Sequence, residues 1–267
     1  MMENDMNYSI LDPTGNITAI ITDHVDAELR AEAAERVMKC EKSVEQVGFL
    51  LPGNAAGFVY DAELQMAGGE FCGNASMSAA AMVAMQREMN PGEKCCIVLK
   101  VSGADGPVPV ELEALSRASF RGRVSMPRAQ EISEVIIPEA EMTVPVVKMP
   151  GITHVIVPES LGLDRAERLL PLMCRAFKAD AMGMMLIDEA WTRITPVVYV
   201  PGADTLVREN SCASGTAAVG AYIASLEDAH IRLSFSEPGG TLTVEAEPKG
   251  PIFIEGCVSY RHPRIRM

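Results

Sequence analysis

The chain has 267 residues, enough for one large domain or for two of about 130 residues each. Lys and Arg number 23 against 36 Asp and Glu, a net charge of −13 that supplies no basic face for nucleic acid, so no nucleic-acid partner is expected. No apolar run reaches the roughly 18 residues of a membrane span, and the start MMENDMNYSILD lacks a basic stretch followed by an apolar one, so no membrane association and a cytoplasmic location are expected.

The first half reads as short strands and two helices. Tyr8–Asp12 and Thr18–Thr22 are strands joined by the turn Pro13-Thr14-Gly15-Asn16. Asp26–Cys40 carries apolar residues at helical spacing. Val47–Leu51 and Gly57–Met66 are strands, the first bounded by Pro52-Gly53-Asn54. A helix follows from Gly73 to Met89, ended by Asn90-Pro91-Gly92. Cys95–Val101, Val108–Glu113 and Phe120–Met126 are strands.

The second half repeats the plan. Ile132–Glu159 is strand-rich, Asp164–Lys178 is an amphipathic helix, and Gly183–Asp188 and Ile194–Val200 are strands. A helix spans Ala213–Leu226, and the strands Ile231–Phe235, Thr241–Ala246 and Pro251–Tyr260 close the chain, with Glu237-Pro238-Gly239-Gly240 as a turn. Domains are expected at 1–128 and 129–255, with a last strand, 256–267, returning to the first.

Seven cysteines are present without a CxxC pair, and His24, His154, His230 and His262 are scattered, so neither a disulfide framework nor a metal site is expected. Two of the cysteines stand apart. Cys72 heads the helix in AGGEFCGNASMSAAAM, and Cys212 heads the later one in ENSCASGTAAVGAYIA, about half the chain away. Small residues follow each: Gly73-Asn74-Ala75-Ser76 and Ala213-Ser214-Gly215-Thr216. An internal duplication explains the match.

Such a pair suits racemisation. One group takes the α-proton and a second returns a proton to the opposite face. A thiol serves both roles if a helix N-terminus lowers its pKa. Free N–H groups and the positive helix end hold the substrate carboxylate as it becomes enediolate-like, and small residues let the backbone approach it. No organic cofactor is then needed. A thiol redox protein and a silent binder of a small acid stay open as alternatives.

FCGNASMS and ENSCASGTAAVG, with PTGN, MPGITHVIVP, PGGTLTVEAE and GPIFIEGCV, resemble the diaminopimelate epimerase-like superfamily over nearly the whole chain. The resemblance implies an α/β (α+β) fold of two pseudo-symmetric domains, each a curled mixed or antiparallel sheet wrapped around a central helix, with the active site in the cleft between them. It implies catalytic cysteines at Cys72 and Cys212 and a homodimer. Phenazine-pathway isomerases share the fold without the cysteine pair, and proline racemases carry histidine where Asn74 stands.

Diaminopimelate itself is not the expected substrate. Ile152 and Met185 stand where its epimerase has asparagines, and Arg208 lies closer to the second cysteine than that enzyme's arginine does. Apolar groups there would leave a distal ammonium and carboxylate unpaired. VEQVGF, GGEFCGNASMS, GMMLIDE, PVVYVP and ENSCASGTA instead resemble the histidine racemases of opine-type metallophore pathways, in which Gly69 is commonly a polar residue. That resemblance makes histidine the expected small-molecule partner. It adds Asn16, Glu45, Gln46 and Glu209 to the substrate contacts offered by Gly73, Asn74, Ala213, Ser214, Gly215 and Thr216, with Glu45 or Glu209 receiving an ammonium or imidazole N–H.

Overall fold

The computed structural model describes residues 6–53, 60–202 and 204–266. Part of the expected strand at 57–66 and the end of the turn at 52–54 lie outside these residues. The chain divides into two compact units, Met1–Ser125 with Glu255–Met267, and Met126–Ile254.

In chain order the elements are β1 (Asn7–Pro13), β2 (Thr18–Ile21), α1 (Arg30–Cys40), β3 (Gln46–Pro52), β4 (Ala62–Met66), α2 (Gly73–Gln86), β5 (Lys94–Val101), β6 (Val108–Ser116) and β7 (Ser119–Met126). They continue with β8 (Glu131–Ile137), β9 (Met142–Met149), β10 (Ile152–Pro158), α3 (Leu163–Phe177), β11 (Met182–Ile187), β12 (Ile194–Val200) and β13 (Thr205–Arg208). The last are α4 (Ala213–Glu227), β14 (Ile231–Glu237), β15 (Gly240–Ala246) and β16 (Ile252–Arg266).

In the first unit the strands run in the order β1-β2-β3-β4-β5-β6-β7-β16, and β16 returns to pair antiparallel with β1. The eight strands therefore form a closed barrel, which leaves no free edge. Helix α2 packs against strands β1 to β6. Its sequence GNASMSAAAMVAMQ is apolar or small on every side, and Gly73 to Met82 are all buried. A helix without a polar face belongs inside. Helix α1 has the opposite character and buries only Ala33, Ala34 and Val37, against Tyr8, Ile10, Val47 and Phe49.

In the second unit a six-stranded sheet runs β13-β12-β11-β10-β9-β8. Its β10–β11 pair is parallel, with His154 opposite Gly183. Side-chain alternation along a strand gives the sheet two buried faces. Val155, Val157, Met182, Met184 and Val197 pack with Leu169 and Leu170 of α3. Met185 points the other way, toward Gly215 of α4. Helix α4 also packs against the β14–β15 hairpin, and like α2 it is buried almost throughout.

Several boundaries differ from the sequence reading. Helix α2 ends at Gln86 rather than Met89, because the Arg87 N–H turns back to Ala84 O, the Glu88 N–H turns back to Met85 O, and Glu88 adopts φ 53°. Strand β13 is an unexpected element, and β16 extends beyond Tyr260 to Arg266. Among the described residues no helix is long and apolar enough to cross a membrane.

Candidate active site

The sequence-assigned residues fall into two clusters, one in each unit. In the first, β2 and β3 are parallel neighbours with Thr18 opposite Gln46. That register brings the turn residue Asn16 beside Glu45 and Gln46, which lie about thirty positions later. Asn16, only 5% exposed, donates from Nδ2 to Glu45 Oε2 at 2.7 Å. Gln46 Nε2 donates to Asn16 Oδ1 at 2.5 Å and to Thr18 Oγ1 at 2.7 Å. Gln46 Oε1 in turn accepts from the Cys72 thiol at 2.9 Å. A carboxylate, two amides and a thiol thus form one chain of polar contacts.

Cys72 is the N-cap of α2, with extended backbone (φ −134°, ψ 117°), and its Sγ accepts from Ala75 N at 3.4 Å. Its carbonyl accepts from Ser76 N at 2.9 Å and Ser76 Oγ at 2.7 Å. Thiol and helix amides therefore occupy the same spot, as a helix-mouth nucleophile or base requires. Gly73 and Asn74 are buried in the first turn behind it.

In the second unit Cys212 is the extended N-cap of α4 (φ −130°, ψ 96°), and it is buried. Ser214, in the first turn, reaches in two directions. Its Oγ lies 3.5 Å from Cys212 Sγ and 3.1 Å from His154 Nε2. His154 is fully buried, and burial presses its pKa down to about 3, so the imidazole is neutral. Gly183, its partner across β10–β11, has no room for a side chain, because a Cβ there would run into His154 Nδ1. Gly215 is fixed likewise, since a Cβ would strike Met185 Sδ and come within 3.3 Å of Cys212 Sγ. Ala213 and Thr216 are buried in the same turn.

Glu209, half-buried before the helix, hydrogen-bonds the Cys212 thiol. Arg208 instead faces outward and pairs with Glu167 and, at 3.7 Å, with Asp164.

The electrostatics of Cys212 overturn one sequence expectation. Burial pushes this thiol well above its ordinary pKa, the Glu209 carboxylate pushes the same way, and the Glu237 carboxyl adds to this once it ionises. Desolvation and nearby negative charge outweigh the helix end. Cys212 is therefore a protonated thiol at neutral pH.

The sequence marks Glu237 only as a turn residue. It is 5% exposed and lies at the head of α4, where Oε2 accepts from Cys212 N at 2.7 Å and Oε1 accepts from Thr216 Oγ1. The signal for it was alternation. Ile231 and Phe235 face the core along β14, and period two turns Glu237 inward as well. Among the described residues no group of three or more His, Cys, Asp or Glu is placed to hold a metal ion.

Known proteins resemble this chain over nearly all of its length. Residues 5–256 match the family model described as histidine racemase CntK N-terminal domain. A histidine racemase of Fusobacterium nucleatum subsp. nucleatum is 28% identical over 260 residues, covering 95% of this chain and 94% of that protein. A histidine racemase of Staphylococcus aureus is 28% identical over 255 residues, covering 91% and 89%. Among solved structures, a hydroxyproline epimerase from Agrobacterium vitis with bound trans-4-hydroxy-L-proline superposes with a TM-score of 0.69 at 13% identity, covering 99% of this chain and 92% of that one. A Bacillus anthracis phenazine biosynthesis protein of the PhzF family gives 0.71 at 13% identity, covering 99% of each chain. These structures share the mixed α/β fold, barrel and second sheet included. With the family model spanning nearly all of the sequence, the chain belongs to the histidine racemase family and is an isomerase.

Proposed function

We propose that the chain is a cofactor-independent amino-acid racemase that uses Cys72 and Cys212 as its two bases, with histidine as substrate. The observation that carries this reading is the matched placement of the two thiols. Each is the extended N-cap of a buried helix, with small buried residues in the turn that follows.

In the proposed arrangement the units form two pseudo-symmetric domains, 1–128 with 256–267 and 129–255, and the substrate lies in the cleft between them. One cysteine, as thiolate, takes the α-proton. The other, as thiol, delivers a proton to the opposite face. The carbanion is held as an enediolate by the first-turn amides of Gly73 and Asn74 and of Ala213 to Thr216, where the positive helix ends favour anions. After each turnover the two thiols have exchanged protonation states, so the pair titrates as a unit.

Asn16 and Gln46 orient Glu45, and Glu45 and Glu209 receive the ammonium or imidazole N–H of the substrate. The buried Met185 and the apolar Ile152 offer nothing to a distal ammonium and carboxylate, so diaminopimelate is not turned over. The proposed enzyme is a cytoplasmic homodimer.

The test is direct. L-Histidine and the other L-amino acids are incubated singly with the protein, and the products are resolved by chiral chromatography. D-Histidine formed without added cofactor supports the reading. Racemisation of a different amino acid replaces the substrate, and no racemisation of any removes the proposed activity.

A further inference from the structure

The buried carboxyl of Glu237 has no role in the two-base scheme as written. It comes from β14, 25 positions beyond Cys212, and reaches the head of α4 from another element. It touches the site at two points, accepting from the backbone N–H of Cys212 at 2.7 Å and from the hydroxyl of Thr216. Thr216 N also bonds Cys212 O at 2.9 Å, so the carboxyl, the N-cap residue and the first helical turn close a small hydrogen-bonded ring. The strand that carries Glu237 is pinned beside this ring. Ser236 N donates to Thr192 O at 2.8 Å, and Gly239 N donates to Asn210 O at 2.7 Å, two residues before Cys212.

We propose that Glu237 is a positioning residue for the Cys212 half of the site: its carboxyl ties the Cys212 backbone to α4 and places a titratable group beside that cysteine. The proposal rests on the two-base reading for its meaning in turnover, but its geometry and its thiol chemistry stand apart from that reading.

Among the described residues, the ionisable groups that act on Glu237 and Cys212 are each other and Glu209. His154, reached through Ser214, is neutral. Burial lifts Glu237 to about 8, with Glu209 adding to the lift and the bonds from Thr216 and Cys212 N opposing it. At neutral pH the carboxyl is therefore largely protonated, and the helix end is left uncompensated for an anionic substrate. Above that range Glu237 is an anion beside a thiol that has yet to ionise. The carboxyl thus opposes formation of the Cys212 thiolate in alkali while holding its backbone in place at every pH.

Two variants of the full chain separate charge from tether. Glu237→Gln keeps the shape and can keep both hydrogen bonds through its amide, but carries no charge. The pH dependence of Cys212 alkylation by iodoacetamide, read on its peptide by mass spectrometry, should move down by about one unit, about a tenfold rise in thiolate at fixed pH. The Cys72 peptide serves as the internal control and should not move. An unchanged Cys212 profile in the folded variant overturns the charge half of the proposal. Glu237→Asp keeps the carboxyl and shortens the reach. Histidine turnover should fall roughly a hundredfold, the cost of a displacement on the order of 1 Å, while the melting temperature stays near that of the wild type. Wild-type turnover in Glu237→Asp overturns the tether. If the unmodified chain fails to racemise any amino acid, the two-base reading falls, and the alkylation comparison still decides the thiol coupling.

Discussion

The Cys72 thiol donates to Gln46 Oε1 at 2.9 Å, and Gln46 is itself held by Asn16 and Thr18. The thiol at the head of α2 is therefore oriented by a side chain from β3, the strand that also follows Glu45. A Gln46→Leu change removes the acceptor and leaves Asn16 and Thr18 facing an apolar group. Turnover should fall roughly a hundredfold, as for a displaced catalytic group, with the circular dichroism spectrum unchanged. Gln46→Glu places an anion beside the thiol and should move the pH at which Cys72 is alkylated upward, because a like charge disfavours the thiolate.

Glu237 makes stability depend on pH in a defined direction. Its carboxyl is raised from 4.5 to about 8 in the folded chain, so the fold binds this proton more tightly than the unfolded chain does. The contribution is fully present below the unfolded value, shrinks as pH rises, and is lost once pH passes about 8. Urea denaturation should show stability falling between pH 5 and about 8.5 by an amount on the order of a few kcal/mol. Glu237→Gln should flatten that slope, and an unchanged slope in the variant would mean that another group is responsible.

Gly183 supports the second cluster from behind. A Cβ there would push into the buried His154 ring, which bridges through Ser214 toward Cys212. Gly183→Ala should cost about 1–3 kcal/mol, the range for overpacking a core, and should lower turnover because the ring cannot move without dragging Ser214. Thermal melts and histidine assays on the same preparation check both effects. An alanine variant with wild-type stability would show that the ring has room to yield.

Substrate choice follows from Ile152 and Met185. Meso-diaminopimelate should give no α-proton exchange under conditions in which histidine exchanges readily. Efficient epimerisation of it would show that the distal groups find partners elsewhere.

Much of this was legible because the informative signals are local. The two cysteine helices were readable from Cys-Gly-Asn-Ala-Ser and Cys-Ala-Ser-Gly-Thr, small residues that suit a buried helix and an N-cap. Strands buried on both faces, such as β12, announce themselves through runs of β-branched and other apolar residues. Strand β13 did not, because Thr205 to Arg208 are all exposed and no alternation marks them. The polar chain from Cys72 to Glu45 depends on the parallel register of β2 and β3, which no single stretch of sequence specifies. The thiol of Cys212 was misjudged for a similar reason. The helix mouth is visible in the sequence, whereas the burial and the approach of the Glu209 carboxylate that outweigh it are tertiary facts. Glu237 itself was hidden by the Pro-Gly-Gly that follows it, although the alternation of β14 pointed inward.

In the proposed reaction two thiols on different helices share one α-proton transfer. The measurement that tests it most directly is deuterium wash-in, with L-histidine in heavy water and NMR of the α-position, for the wild type, Cys72→Ser and Cys212→Ser. The D-histidine formed by the wild type should carry deuterium from the first turnovers, and both serine variants, folded as judged by thermal melting, should produce none. D-Histidine that retains the original proton, or racemisation at the wild-type rate in either variant, would contradict it.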